Sequence, residues 1–183
     1  MDKLITIKLI NQYLERYERD IHALKTLNFV IQNDIFWQRE NVEGHITASA
    51  WVIDKNCSKT LLIHHPKLLQ WFQPGGHVEA SDATLFDAAL REAIEETGIS
   101  GLQIIDKQIF DIDVHLIPSY KNVMAHYHYD LRILVEASAI NPKNENENEM
   151  LDLQWISLDK VSDYNNSEPV MRLVEKGKKE IKH

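Results

Sequence analysis

At Gly44 the hydrophobic period of this 183-residue chain changes from helical to extended, and no other feature constrains its fold as strongly. Upstream, Leu4, Ile10, Tyr13, Leu14, Tyr17, Ile21, Leu24 and Leu27 recur at steps of three and four, with Glu15, Arg16, Glu18 and Arg19 between them. No Pro or Gly interrupts the stretch, so the pattern predicts one helix over 3–27. That helix packs on the main domain, with a homodimer contact as the alternative. Downstream, GHITASAWVID (44–54) and TLLIHH (60–65) read as strands. A loop follows, in which Pro74, Gly75 and Gly76 mark a tight turn. A helix over 84–97 is stopped by Gly98, and strands are expected at 102–117, 126–137 and 151–157. The polar stretch 141–149 reads as a loop and 168–181 as a last helix. Such irregular alternation, without internal repeats, predicts an α/β chain of the α+β type. Its mixed β-sheet is sandwiched between helices, with an N-terminal helical extension (1–40) ahead of the main domain (41–183).

The chemistry is concentrated in GGHVEASDATLFDAALREAIEETGIS (75–100). With Glu92 at zero and about 100° per residue, Glu96 falls near +40°, Glu95 near −60° and Ala88 near −40°. Phe86, Leu90, Ala93, Ile94 and Thr97 fill the arc from about 100° to about 200°, which predicts an apolar face opposite three carboxylates. Like charges at this spacing repel. Arg91 offsets part of the cost by an i,i+4 pair with Glu95, and a hard divalent cation such as Mg²⁺ would offset the rest. Taken alone, EAIEE is read more readily as a solvated acidic face. Thr84 and Asp87 have the spacing of a capping box, and the Gly75–Gly76 turn lets backbone groups approach an ion.

Charge and cysteine content bear on partners and compartment. The 20 Lys+Arg against 28 Asp+Glu leave a formal charge of −8, which argues against long nucleic acids and anionic membrane surfaces. A single cysteine, Cys57, excludes a disulfide scaffold and fits a reducing, cytoplasmic compartment. No apolar run approaches the roughly 20 residues that cross a bilayer, and the first residues lack a signal-peptide pattern.

The segment closely resembles the Nudix box of Nudix hydrolases, G-x5-E-x7-R-E-U-x-E-E-x-G-U, where U is a bulky apolar residue. Gly76, Arg91, Glu92, Glu95, Glu96, Gly98 and Ile99 match it. Counted from Gly76, the first acid is Asp82 rather than Glu, and eight residues instead of seven separate it from Arg91. Ala93 is smaller than the usual U. The strands over 44–65, WFQPGGHVE and LQWISLDKV (153–161) also look like the surrounding fold, so the resemblance spans roughly residues 40–165.

The resemblance implies hydrolysis of the diphosphate linkage of a nucleoside diphosphate derivative, with Mg²⁺ (or Mn²⁺) as cofactor and water attacking phosphorus. It implies Glu92 and Glu96 as principal metal ligands, Glu95 sharing the cluster, and the Gly75 carbonyl as a further ligand. Arg91 would orient a carboxylate, and Asp82 would support the metal site through a water or a backbone contact. The family's general base often lies in a later loop, where Glu145, Glu147 and Glu149 are candidates. The alternatives are a non-catalytic nucleotide sensor and a diphosphate isomerase. Sensors usually lose box carboxylates, which are all present here. The isomerases use a catalytic cysteine, whereas Cys57 stands in a turn before the box. Activity on RNA is disfavoured by the acidic charge.

Two later strands share a polar face. Asp111, Asp113 and His115 alternate with apolar residues in 109–117, as do His126, His128 and Asp130 in 126–134. In an antiparallel hairpin, His115 would face His126 and Asp113 would face His128; shifted by two, Asp113 would face His126 and Asp111 would face His128. The face reads as a substrate-pocket wall, a second metal site, or an ordinary solvated surface. His77, His115, His126 and His128 are therefore candidate substrate-binding residues, and Lys67 is a candidate phosphate contact.

Overall fold

The computed structural model describes residues 1–66, 68–137 and 152–180. Lys67 and the loop acids Glu145, Glu147 and Glu149 lie outside them. The elements are α1 (Lys3–Arg16), α2 (Ile21–Gln32), β1 (Gly44–Asp54), β2 (Lys59–His65), β3 (Gln70–Phe72), β4 (Gly75–His77), α3 (Leu85–Thr97), β5 (Leu102–Ile104), β6 (Asp111–Ile117), β7 (His126–Ala137), β8 (Leu153–Ser157) and α4 (Glu168–Glu180). The sheet runs β3-β2-β1-β7-β5, with β4 also on β1, β6 on β7 and β8 on β2. This is the α+β architecture expected.

Several local expectations are corrected. The helix expected over 3–27 is two helices. Asp20 accepts from the Ala23 N–H at 3.0 Å and from the Tyr13 hydroxyl at 2.7 Å, so an N-cap sits where continuity was expected. The break rotates the apolar stripe: Ile10 and Tyr13 are buried, while Leu4, Ile21 and Leu24 are exposed. The strand expected over 102–117 is likewise two strands, β5 and β6. At Pro74-Gly75-Gly76 the expected tight turn is replaced by β4, which pairs with β1 and holds Gly75 in extended backbone.

The chain forms two compact units, and β1, β4, α3 and β7 each contribute residues to both. The first comprises Met1–Ser49, Gly76–Ala89 and Asp106–Ile133. Within it α1 packs on α2 and α2 on β6. Phe29 stacks on Tyr129 with centroids 4.0 Å apart, and the Val114 N–H donates to His22 Nδ1 at 2.8 Å. Ile10, Phe36, Ile46, Ile112, Leu131 and Ile133 are among its fully buried side chains. Gly44 opens β1 under steric constraint. Its φ is +156°, and a Cβ there would lie 2.3 Å from the Tyr127 carbonyl oxygen.

The second unit comprises Ala50–Gly75, Leu90–Ile105 and Leu134–His183. There β2 lies between β3 and β8, pairing Ile63 with Phe72 and Thr60 with Ile156. Its strands bury Trp51, Ile53, Leu61, Leu62 and Val135, and α4 buries Val170 and Leu173. The Asp54 carboxylate accepts from the Ser58 and Lys59 N–H groups at 2.7 and 2.6 Å, which closes the β1–β2 turn carrying Cys57. No described helix is long and apolar enough to cross a membrane.

Candidate active site

Helix α3 begins and ends as its residues specify. The Asp87 N–H donates to Thr84 Oγ1 at 3.2 Å, and the Thr84 hydroxyl donates to the Asp87 carboxylate at 2.8 Å. At the other end the Gly98 N–H bonds the Ile94 carbonyl at 2.8 Å with φ +65°, a conformation that favours glycine. Between these caps the expected division into an apolar and an acidic face is overturned. Leu85, Ala88, Ala89, Ala93 and Thr97 are buried, while Ile94 is 45% exposed. With Glu92 at zero, the buried arc therefore runs from about −40° to about 140°, and both Glu92 and Glu96 fall inside it. Alanines define the inward side; they carry little weight in an apolar pattern but allow close packing.

In the second unit the carboxylates are held individually. Glu96 Oε2 accepts from the Gly75 N–H at 2.8 Å, which ties the helix to the start of β4. Arg91 Nη1 donates at 3.0 Å to Glu92 and at 3.0 Å to Glu95, so one guanidinium bridges two acids. Glu92 and Arg91 are largely covered, whereas the Glu95 side chain is 56% exposed. The i,i+4 partner expected for Arg91 is present, and Glu92 is an additional one. The oxygens of Glu92, Glu96 and the Gly75 backbone are hard donors of the kind that Mg²⁺ takes.

In the first unit the buried Asp82 carboxylate accepts from the Glu79 N–H at 2.8 Å and shapes the loop ahead of α3. On the facing strands β6 and β7 the register differs from both expected pairings. His115 faces His128, Asp113 faces Asp130, and Asp111 faces Arg132. Arg132 supplies the reason. Its buried guanidinium meets Asp130 at 2.9 Å, Asp111 at 3.0 Å and Asp113 at 3.5 Å, so in this register three acids gather around one cation. Thr47 and Ser49 from β1 donate to Asp130 at 3.0 and 2.8 Å. Much of the polar face is therefore interior, not solvated surface.

The strand histidines converge at the other end of this face. His45, which the strand pattern alone does not single out, lies among them with ring centroids 5.0 Å from His77, 5.1 Å from His126 and 4.8 Å from His128. His115 reaches His128 at 5.6 Å and pairs through Nδ1 with Asp113 at 3.0 Å. Burial first, then neighbouring imidazoles and Arg39, holds the pKa of His45 and of His77 down to about 4. One signal for His45 exists in the residues: His45, Thr47 and Ser49 alternate with Ile46 and Ala48 on one face of an otherwise apolar strand.

Comparison with known proteins places the chain in a family. A sequence profile of the NUDIX domain matches residues 44–174. A probable DHNTP pyrophosphohydrolase of Lactococcus lactis subsp. cremoris is 30% identical over 148 residues, covering 79% of each chain. Among solved structures, a NUDIX-family hydrolase from Clostridium perfringens superposes with a TM-score of 0.57 at 22% identity, over 73% of this chain and 96% of that one. The Ap4A hydrolase of C. elegans gives a TM-score of 0.53 at 16% identity, over 75% and 98%.

Proposed function

The chain belongs to the NUDIX family of hydrolases, and on that premise we propose that it cleaves the diphosphate linkage of a small nucleoside diphosphate derivative in an Mg²⁺-dependent reaction. The observation that carries this reading is the held carboxylate set: Glu96 on the Gly75 N–H, and Arg91 bridging Glu92 and Glu95. Glu92, Glu96 and the Gly75 carbonyl would hold the cation, with the more exposed Glu95 completing the set. Bound there, Mg²⁺ would neutralise diphosphate charge and lower the pKa of a coordinated water. Arg91 keeps two carboxylates apart and oriented, so it is a positioning residue. Asp82 supports the loop that leads into α3 through its bond to the Glu79 N–H. His115 and His126, at the rim of the histidine cluster, are proposed to form hydrogen bonds with phosphate or sugar groups of the substrate. The carboxylates also reconcile a charge of −8 with a phosphate ligand, because a bound cation reverses the local sign.

The test is Mg²⁺-dependent turnover across ADP-ribose, nucleotide sugars, dinucleoside polyphosphates and nucleoside triphosphates, with the DHNTP named for the Lactococcus relative as a further arm. Turnover of one class that is abolished in Glu96→Gln supports the proposal. Nucleotide binding without turnover, or a Glu96→Gln variant as active as wild type, would replace it with the sensor reading.

A further inference from the structure

Among the described residues, His45, His77 and His128 form a group whose ligand atoms all lie within 4.8 Å of one another. All three belong to the first unit and stand on strands, near the start of β1, at the end of β4 and near the start of β7. Strand backbones hold side chains more firmly than loops do, so the convergence is built into the sheet. We propose that these three imidazoles bind one transition-metal dication of the zinc class, at a site separate in its ligands from the carboxylate set.

Two observations point to a cation and to its kind. First, His45 is 2% exposed, and neither Nδ1 nor Nε2 has a hydrogen-bond partner. A neutral imidazole has one lone-pair nitrogen and one N–H. Burying both unmet is unfavourable, and a metal ion would take up the lone pair. Second, the donor set selects the ion. Three imidazole nitrogens without a carboxylate suit Zn²⁺, Co²⁺, Ni²⁺ or Cu²⁺, whereas Mg²⁺ and Ca²⁺ want oxygen.

The geometry is compatible with tetrahedral coordination. Imidazole nitrogens 2.0–2.1 Å from zinc stand about 3.3 Å apart in a tetrahedral site, against the 4.8 Å within which these ligand atoms lie. Three ligands leave the fourth position for water or an exogenous group. His126 borders the group, with centroids 5.1 Å from His45 and 5.2 Å from His128. Its Nδ1 donates to the Met124 carbonyl at 2.9 Å, which turns the other nitrogen into an acceptor.

The experiment is titration of the chelator-treated full chain with Co²⁺ and then Zn²⁺, followed by visible absorption and calorimetry. One equivalent of Co²⁺ should develop the intense absorption of a tetrahedral site, and Zn²⁺ should bleach it while millimolar Mg²⁺ does not. His45→Asn and His77→Gln should each weaken binding by about 100-fold or more, and the two variants guard against one failing to fold. Glu96→Gln should bind Zn²⁺ as wild type does, which separates this site from the proposed catalytic one. Absence of a one-equivalent Co²⁺ or Zn²⁺ complex, unchanged affinity in both histidine variants, or loss of binding in Glu96→Gln would overturn the proposal.

Discussion

Replacing Arg132 by methionine should be among the most damaging single changes this chain can suffer. The guanidinium is buried with three aspartates around it, and two of its contacts, at 2.9 and 3.0 Å, are hydrogen bonds between charged groups. Each such bond is worth about 1.5–3 kcal/mol net, and removing one partner of a buried pair costs about 3–5 kcal/mol because the remaining charge stays desolvated. Three acids share this one cation, so the upper half of that range applies, about 4 kcal/mol. With a urea slope of about 2 kcal/mol/M, the unfolding midpoint should fall by about 2 M. The pH dependence provides a second reading. Once unpaired, the buried carboxylates bind protons more tightly in the folded than in the unfolded chain. Stability of the variant should therefore recover as pH is lowered from about 7 toward about 5, since the folded state then takes up more protons. Adding Asp111→Asn should restore part of the loss at neutral pH. Urea melts of the wild type, single and double variants at both pH values test this. A midpoint shift equivalent to less than about 1 kcal/mol, or no recovery on acidification, would refute the argument that Arg132 neutralises this interior and sets the β6–β7 register.

Gly44→Ala should lower the thermal midpoint by several degrees, because its Cβ would overlap the Tyr127 carbonyl oxygen; an unchanged midpoint would show that β1 can shift there. Phe29→Ala should cost about 3–5 kcal/mol in chemical denaturation, since it removes a buried ring stacked on Tyr129. Asp20→Ala removes both the α2 cap and the acceptor for the Tyr13 hydroxyl and should cost about 1–3 kcal/mol by the same assay. Glu96→Gln should reduce kcat by at least about 100-fold, or about 2.7 kcal/mol of barrier, with a near-native melting curve because the amide oxygen can still accept from the Gly75 N–H.

Features set by neighbours along the chain are legible in the residues themselves. Helix α3 has its cap at Thr84, its stop at Gly98 and the Arg91–Glu95 pair one turn apart, and the REAIEETGI core marks the family by spacing alone. The mixed sheet is legible for the same reason, since residue period and turn composition are local properties. The break between α1 and α2 escapes the pattern even though Asp20 is a strong N-cap residue, because the apolar period runs on through it.

What local pattern cannot carry is partnership across strands. A two-residue change of register leaves every side chain on the same face, so alternation alone cannot choose among the β6–β7 pairings. The choice depends on Arg132 finding Asp111, Asp113 and Asp130 in the interior. Likewise, the inward tilt of Glu92 and Glu96 depends on what packs against Ala88, Ala89 and Ala93, and His45 acquires meaning only beside His77 and His128. The sequence by itself determined the family, the helix that carries the carboxylates and their spacing, because those follow from 3.6 residues per turn. Only the tertiary structure decided which charges are buried and which histidines meet, because burial and convergence arise between segments far apart in the chain.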